Sequence, residues 1–494
     1  MDLNRLHIVV FWVFFVLFLT TAASVLFFTF GYRFSFHRGI FIYTGSITVK
    51  SNPRSATVSL DGNAVPADMI HNINQSIHVT GIMPGEHFLR VSADGFQSWE
   101  KKVVVQSGIS TEFWNVLLPR SSYDRARAAD GDIVRVFPSP TRKYFSLVSD
   151  TGSETTVAFI ERTDKTSKRV FSSRTYRFDP EDGRNVEWAK NEDSLLIPLR
   201  SRADGKRGVM IVDLKTGIAT DLKDIAVAPD PENPRWHPDD NGTFFVLSRG
   251  SLLLVDPAAT SSDRIENVAD NVSAYDLSGR SAAVLDRTSG IVSRITFGGI
   301  TGTDRKDITG PIPEADRFSA PYLTMYDERR IAVYDRDGEG FLYNDDLKLE
   351  PSIIPLGTGI RGVQFSDDGK KLLFFTGHDI SVVFTRDWDV QPARKDGDIL
   401  QIARFSSPLS EVQWAKDYEH VLFVNDGELN LAELDNRDRR NIATILPAST
   451  SDIIRQVVTL PAENQLYVLS GPAPTGHAVF SFISFPEPIG LFGQ

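Results

Sequence analysis

Between Ile133 and about Pro486 one short phrase of sequence keeps returning, and it constrains the fold more than any single motif does. Its clearest copy is Arg361–Phe375, RGVQFSDDGKKLLFF. Val363 and Phe365 point one way on a short strand, Ser366-Asp367-Asp368-Gly369 is turn chemistry, and Lys371–Phe375 is an apolar second strand. First-strand anchors recur at Phe137, Trp188, Trp236, Tyr275, Leu323, Phe365, Trp414 and Thr459, roughly 40 to 50 residues apart, the period of a four-stranded propeller blade. Second strands follow at Tyr144–Val148, Leu195–Leu199, Phe244–Leu247, Ala282–Leu285, Ile331–Tyr334, Leu372–Phe375, Val421–Val424 and Leu466–Leu469. They are apolar throughout, as strands covered on both faces are. The spacing predicts eight blades, with seven as the alternative if the weak fifth or eighth repeat is irregular.

At 494 residues, 41% apolar and 24% charged, the chain has material for two or more globular units. A net charge of −11 with no basic stripe repels nucleic acid. Arg437-Asp438-Arg439-Arg440 follows Glu433 and Asp435 and reads as a solvated turn. There are no cysteines, which removes disulfides, thiolate metal sites and cysteine nucleophiles together.

Ile8–Phe30 carries no charge and as a helix would rise roughly 35 Å, enough to cross a hydrocarbon core. A signal peptide cleaved near Ala22-Ala23-Ser24 is the rival, but apolar sequence continues past that point. The expectation is an uncleaved single-pass anchor, with the rest of the chain on one side, outside the cell. Tyr32, Phe34, Phe36, Phe41 and Tyr43, with Arg33 and Arg38, suit the headgroup level or a strand leading onward. Gly45–Pro119 then alternates apolar and polar residues between tight turns such as Asp61-Gly62-Asn63, Met83-Pro84-Gly85-Glu86 and Ala93-Asp94-Gly95-Phe96. That predicts a small β-sandwich.

The residues of this segment resemble the PEGA domain: Gly45–Pro53 (GSITVKSNP), Ala56–Gly62 (ATVSLDG), Pro84–His87 (PGEH) and Gly95–Trp99 (GFQSW). It departs from that family in the middle, where Pro66-Ala67 and the polar run Asp68–Ser76 replace a Gly-x-Thr-Pro element. The resemblance implies a β-rich, non-catalytic module of prokaryotic membrane-anchored surface proteins. Phe365–Lys370 (FSDDGK), Trp188–Asp193 (WAKNED) and Ile211–Gly217 (IVDLKTG) resemble TolB-type and WD-type propeller repeats. The expected fold class is therefore all-β: residues 1–7 a short arm, 8–30 a transmembrane helix, 31–44 a juxtamembrane segment, 45–119 the PEGA-like sandwich, 120–130 a linker, 131–487 the propeller and 488–494 a tail.

Few residues stand out as chemistry. Gly357-Thr-Gly359-Ile-Arg-Gly362 spells G-x-G-x-x-G, but a strand in the repeat register follows it where a dinucleotide site needs a helix. Asp335, Asp337, Glu339 and Asp346, with Gly340, imitate the ligand spacing of a calcium loop without its flanking helices; the competing reading is a polar turn within blade five. Histidines 71, 78, 87, 237, 378, 420 and 477 are scattered, with no H-E-x-x-H and no pair at metal-ligand spacing. No G-x-S-x-G elbow occurs. No catalytic residue, cofactor or further metal ligand is assigned. The sequence favours a non-enzymatic envelope protein whose propeller binds a protein or glycan. The alternative is a propeller hydrolase or lyase acting on envelope polysaccharide, with Asp, Glu, Arg or Tyr converging at one channel mouth.

Overall fold

The computed structural model describes residues 3–35, 39–163, 166–178, 186–240, 242–260, 263–297, 304–345, 352–460, 462, 464–472 and 476–486. Phe36, Arg38, the first two residues of the arm, Asp346, residue 487 of the expected propeller and the tail 488–494 lie outside them. Apolar sequence without a breaker gives one long helix, Leu3–Thr29, of 27 residues. None of its window His7–Thr29 is buried in the protein, and it is long and apolar enough to cross a bilayer. Gly31 ends it in the left-handed region at φ +85, with its N–H on the Phe28 carbonyl at 3.1 Å. The next residues pair as a hairpin, Tyr32–Ser35 against Ile40–Tyr43.

The sandwich has two four-stranded sheets. One runs Ser110–Leu117, Gly45–Asn52, Ser76–Ile82, Ile70–Ile73; the other runs Asn63–Ala64, Thr57–Leu60, Gly85–Ser92, Trp99–Val105. The polar run after Pro66 makes the Ile70–Ile73 hairpin arm, turning at Asn74 and Gln75, both at positive φ. Ile47, Val49, Val58, Val79, Leu89, Val91, Trp99, Val103 and Phe113 fill the core between the sheets.

Among the described residues eight further sheets follow, each built on four-strand blade topology, which makes eight blades. The fifth blade, Pro321–Thr358, is a complete meander despite its weak signature. Blade two carries a split first strand, Tyr176–Arg177 and Glu187–Trp188, both pairing with Ser194–Ser201. Second strands such as Phe244–Ser248 and Arg330–Asp335 are buried along their whole length. Each adjacent pair of blades shares its own apolar cluster, and the cluster of Ile133, Val136 and Phe145 with Leu460, Tyr467 and Phe480 joins blade eight back to blade one.

One expected boundary is corrected. The linker 120–130 contains a strand, Ala126–Gly131, which pairs antiparallel with Ala478–Ser484 as the outermost strand of blade eight. An outermost strand packs on one side only, so Arg127 and Asp130 can stay in water and the segment keeps a linker's polar composition.

Candidate functional site

The most heavily built polar site lies where the sandwich meets blades six and seven. Ser110–Leu117 and Trp99–Val105 are the outer strands of the two sandwich sheets, and such strands present unpaired N–H and C=O groups. Side-chain amides of the propeller stand in for a neighbouring strand. Gln391 accepts from Glu112 N at 3.1 Å and donates to the Ser110 carbonyl at 3.2 Å. Asn441 donates to the Glu100 carbonyl at 3.2 Å, and Asp438 accepts from Lys102 N at 2.8 Å. Arg437, gripped by Asp435, donates to the Glu112 carbonyl at 2.7 Å and lies 4.0 Å over the Phe113 ring. The reading of Arg437–Arg440 as a solvated turn is therefore corrected in part: Arg439 and Asp438 are exposed, but the sandwich and blade six half-bury Arg437 and Arg440, and Arg440 donates to the Gln401 carbonyl at 3.1 Å.

At the centre is Lys101, 0% exposed. Its ammonium sits 2.7 Å from Glu433 and donates to the carbonyls of Arg437 at 2.9 Å and Asp435 at 3.1 Å. Glu433, 4% exposed, also accepts from Trp99 Nε1 at 2.7 Å and Asn441 N at 2.7 Å. Both charges thus have the extra hydrogen bonds that a buried pair needs to hold.

The polar seam continues under this pair. Lys371 donates to the Tyr418 carbonyl at 2.7 Å, meets the Glu419 carboxylate and lies 4.2 Å over the Trp388 ring. Burial pushes the Glu419 carboxyl up against the pull of Lys371. His420 Nδ1 is 2.7 Å from Asp417. Burial opposes the His420 charge, but Asp417, Glu433 and Glu419 around it carry its pKa above the ordinary 6.5. A histidine raised in this way stabilises the fold below its unfolded value and loses that contribution as pH rises through the folded one. The stability gap between the native chain and His420→Gln is therefore expected to narrow as pH rises above about 6.5, followed by urea midpoints. A gap that widens with pH would contradict this pairing.

A narrow cleft of ≈ 40 Å³ opens beside the seam. Trp114, Trp388, Val390 and Pro392 give it apolar walls, and Asn115, Arg394, Arg437 and Glu419 give it polar groups. Its position at a junction between modules is a common one for ligand sites.

The innermost strands hold a second constellation. Glu187 of blade two accepts from Trp236 N of blade three at 2.9 Å, and Asp276 of blade four from Met325 N of blade five at 2.9 Å. Gln364 of blade six accepts from Trp414 N of blade seven at 3.0 Å, and Glu411 of blade seven from Val457 N of blade eight at 3.1 Å. Gln456 of blade eight accepts from Val136 N at 2.8 Å and donates to Val136 O at 2.7 Å, joining blade one. Arg235 bridges Glu187 at 2.6 Å and Asp276 at 3.2 Å, and Arg135 meets Glu411 at 2.9 Å. Burial raises the Glu187 carboxyl, yet its two oxygens already accept from Arg235 Nε and Trp236 N. The aromatic anchors work the same seams: Trp188, Trp236 and Trp414 donate their ring N–H to Phe137, Glu187 and Gln364 carbonyls at 3.3, 3.1 and 2.9 Å. These carboxylates and arginines stitch blade to blade.

Because strands alternate in direction, loops joining second to third strands lie on the propeller face away from the sandwich. There Tyr176 donates to Asp221 at 2.5 Å and accepts from Lys223 at 3.0 Å. Burial and Asp221 push the Tyr176 phenol up, and the Tyr176 and Asp221 contacts push the Lys223 ammonium up, so neither is poised to lose a proton near neutral pH.

The calcium-loop candidates fall on the same side of blade five. Asp335, 2% exposed, spends its oxygens on Ser319 N, Ala320 N at 3.0 Å and Asp337 N at 3.0 Å. Asp337 and Glu339 are exposed, and Asp346 lies outside the described residues. Among the described residues no group of three or more His, Asp or Glu is placed to hold a metal ion. Gly357–Gly362 runs from the last strand of blade five to the first of blade six, with a strand and no helix after it. His237 stacks on Phe245 with centroids 5.5 Å apart and meets the tilted Phe297 ring at 5.1 Å, and burial lowers its pKa.

Residues 44–120 match the PEGA domain model. No curated protein matches the chain. Among solved structures, the Dos1 propeller is 12% identical, with 75% of this chain and 97% of that one covered and a TM-score of 0.48. The Cps50 (Swd1) β-propeller domain of Myceliophteria thermophila is 12% identical, with 72% and 99% covered and a TM-score of 0.41. A prolyl endopeptidase is 10% identical, with 70% of this chain and 55% of that one covered and a TM-score of 0.40. At these identities and scores the likenesses say nothing about what the chain binds.

Proposed function

We propose that this is a non-enzymatic, membrane-anchored protein of the prokaryotic cell envelope, a scaffold whose propeller presents a protein- or glycan-binding surface. Residues 8–30 tether it, the PEGA module 45–119 is the stalk, and the bulk of the chain lies outside the membrane. The joint carries this reading. Lys101, Glu433, Gln391 and Asn441 lock propeller to sandwich through paired polar groups. A locked joint suits a surface that must be held in a fixed attitude, and the inner-strand acids and arginines are engaged in holding the ring. The Trp114–Trp388 cleft is the binding site favoured here, since aromatic faces beside Arg, Asn and Glu suit both peptide and sugar.

The test uses the full chain in detergent with membranes and envelope polysaccharide of the source cell. A specific partner is expected, with capture reduced at least about tenfold in Trp114→Ala and Trp388→Ala, in line with aromatic hot spots of 2 kcal/mol or more. Capture that ignores both substitutions removes the cleft from the proposal. Release of new reducing ends or unsaturated sugars by the purified chain would favour the hydrolase or lyase reading instead.

A further inference from the structure

We propose that the sandwich itself stands on the bilayer: the paired aromatic strands Tyr32–Ser35 and Ile40–Tyr43 and the sandwich turn at Gln106–Ile109 form one apolar foot seated in the lipid headgroup layer. This rests on the reading of Ile8–Phe30 as a membrane span. Phe27, near the end of the helix, stacks on Phe41 with ring centroids 5.1 Å apart and meets Tyr32 edge-on at 5.5 Å. A ring beside the last turns of a spanning helix shares their depth, so Phe41 is carried to the lipid boundary.

The hairpin then binds the sandwich with no slack. Thr44 N and its hydroxyl both donate to the Gly31 carbonyl, at 3.0 and 2.7 Å. The Ser107 hydroxyl donates to the Tyr43 carbonyl at 2.7 Å, and Gly108 N to the Thr44 carbonyl at 3.1 Å. The Tyr43 ring lies so close over Gly108 that a Cβ there would come within 2.6 Å of it. Next in the turn is Ile109, also exposed. Phe34, Phe41 and Tyr43, all exposed, share one hairpin face with Tyr32, and that face runs on from Phe27 of the helix; the exposed Ile40 lies on the other face.

Its depth is limited by hydrogen bonding. Among the described residues the two hairpin strands pair only with each other, so their outer edges keep N–H and C=O groups that hydrocarbon would leave unsatisfied. The headgroup layer supplies water to those edges and an apolar boundary to the rings, the layer that aromatic residues favour.

The absence of cysteine allows single labels in the full chain. Phe14→Cys, Phe41→Cys, Ile109→Cys and Ile218→Cys would each carry a nitroxide, in vesicles of phosphatidylcholine with phosphatidylglycerol. Relaxation by oxygen, which concentrates in lipid, is compared with relaxation by a water-soluble nickel chelate. At 41 and 109 the oxygen-to-nickel ratio is expected to exceed that at 218, on the propeller, several-fold and to fall below that at 14. Ratios at 41 and 109 equal to that at 218, with 14 still in lipid, overturn the foot and leave the anchor standing. A ratio at 14 equal to that at 218 overturns the anchor and the foot with it. Protection of 41 and 109 from both relaxants means a protein covers the face, and also overturns the proposal. Ile109→Cys, on an exposed turn, keeps the test valid if Phe41→Cys disturbs the hairpin.

Discussion

Lys101→Met is expected to destabilise the chain by about 3–5 kcal/mol, the cost of leaving a buried charge without its partner. The methionine fills the space of the lysine stem, so the loss is electrostatic. Glu433 keeps its bonds from Trp99 and Asn441 but faces them as an uncompensated carboxylate. The damage should be local, because those two residues span the joint. Urea unfolding followed by tryptophan fluorescence is expected to split into two transitions as the sandwich uncouples, and protease is expected to reach Ser121–Arg125 sooner. Adding Glu433→Gln to Lys101→Met should restore part of the loss, since the neutral amide still accepts from Trp99. The pairing is wrong if Lys101→Met unfolds at the same urea concentration as the native chain.

Gln456→Leu is expected to be the costliest single change on the innermost strands, at roughly 2–6 kcal/mol for two orphaned backbone groups. Gln456 is 9% exposed, and its amide satisfies both the N–H and the C=O of Val136. Leucine matches its size and satisfies neither. The contact lies on the seam between the last and first blades, so the loss falls where the ring closes. Gln413→Leu is the comparison: Gln413 donates to the Val457 carbonyl at 3.1 Å from a half-buried position, where water can replace it. Equal melting temperatures for the two variants would refute a special role for Gln456.

The repeat was legible because its physics is local. An aromatic or apolar anchor (Thr459 of blade eight excepted), a polar turn and a mostly apolar strand mark the first half of each blade, and all eight anchors fall on first strands. Why Trp and Tyr recur there was hidden, because the carbonyls they reach belong to the preceding blade. Ala126–Gly131 was hidden for a related reason: its pairing partner comes about 350 residues later, and no local pattern can announce so distant a neighbour. Lys101 did leave a signal. In Trp99–Val105 every second residue faces inward, and Lys101 occupies an inward position between Trp99 and Val103. A lysine in that register predicts a buried partner, although not which loop brings it. Arg437–Arg440 misled because a charged run in a loop has no local sign of the surface that will cover it.

Ring closure by Ala126–Gly131 also has a consequence for biosynthesis. That strand leaves the ribosome soon after the sandwich, whereas Ala478–Ser484 follows about 350 residues later, a wait of roughly 20 to 70 s at ordinary elongation rates. Throughout that interval an unpaired edge hangs beside a finished domain. Its Arg127 and Asp130, both exposed in the closed ring, make it a poor template for a stray strand of another nascent chain. Polarity that disguises the segment as a linker thus keeps it available until the last blade emerges, and the newly made propeller stays open until translation is almost complete.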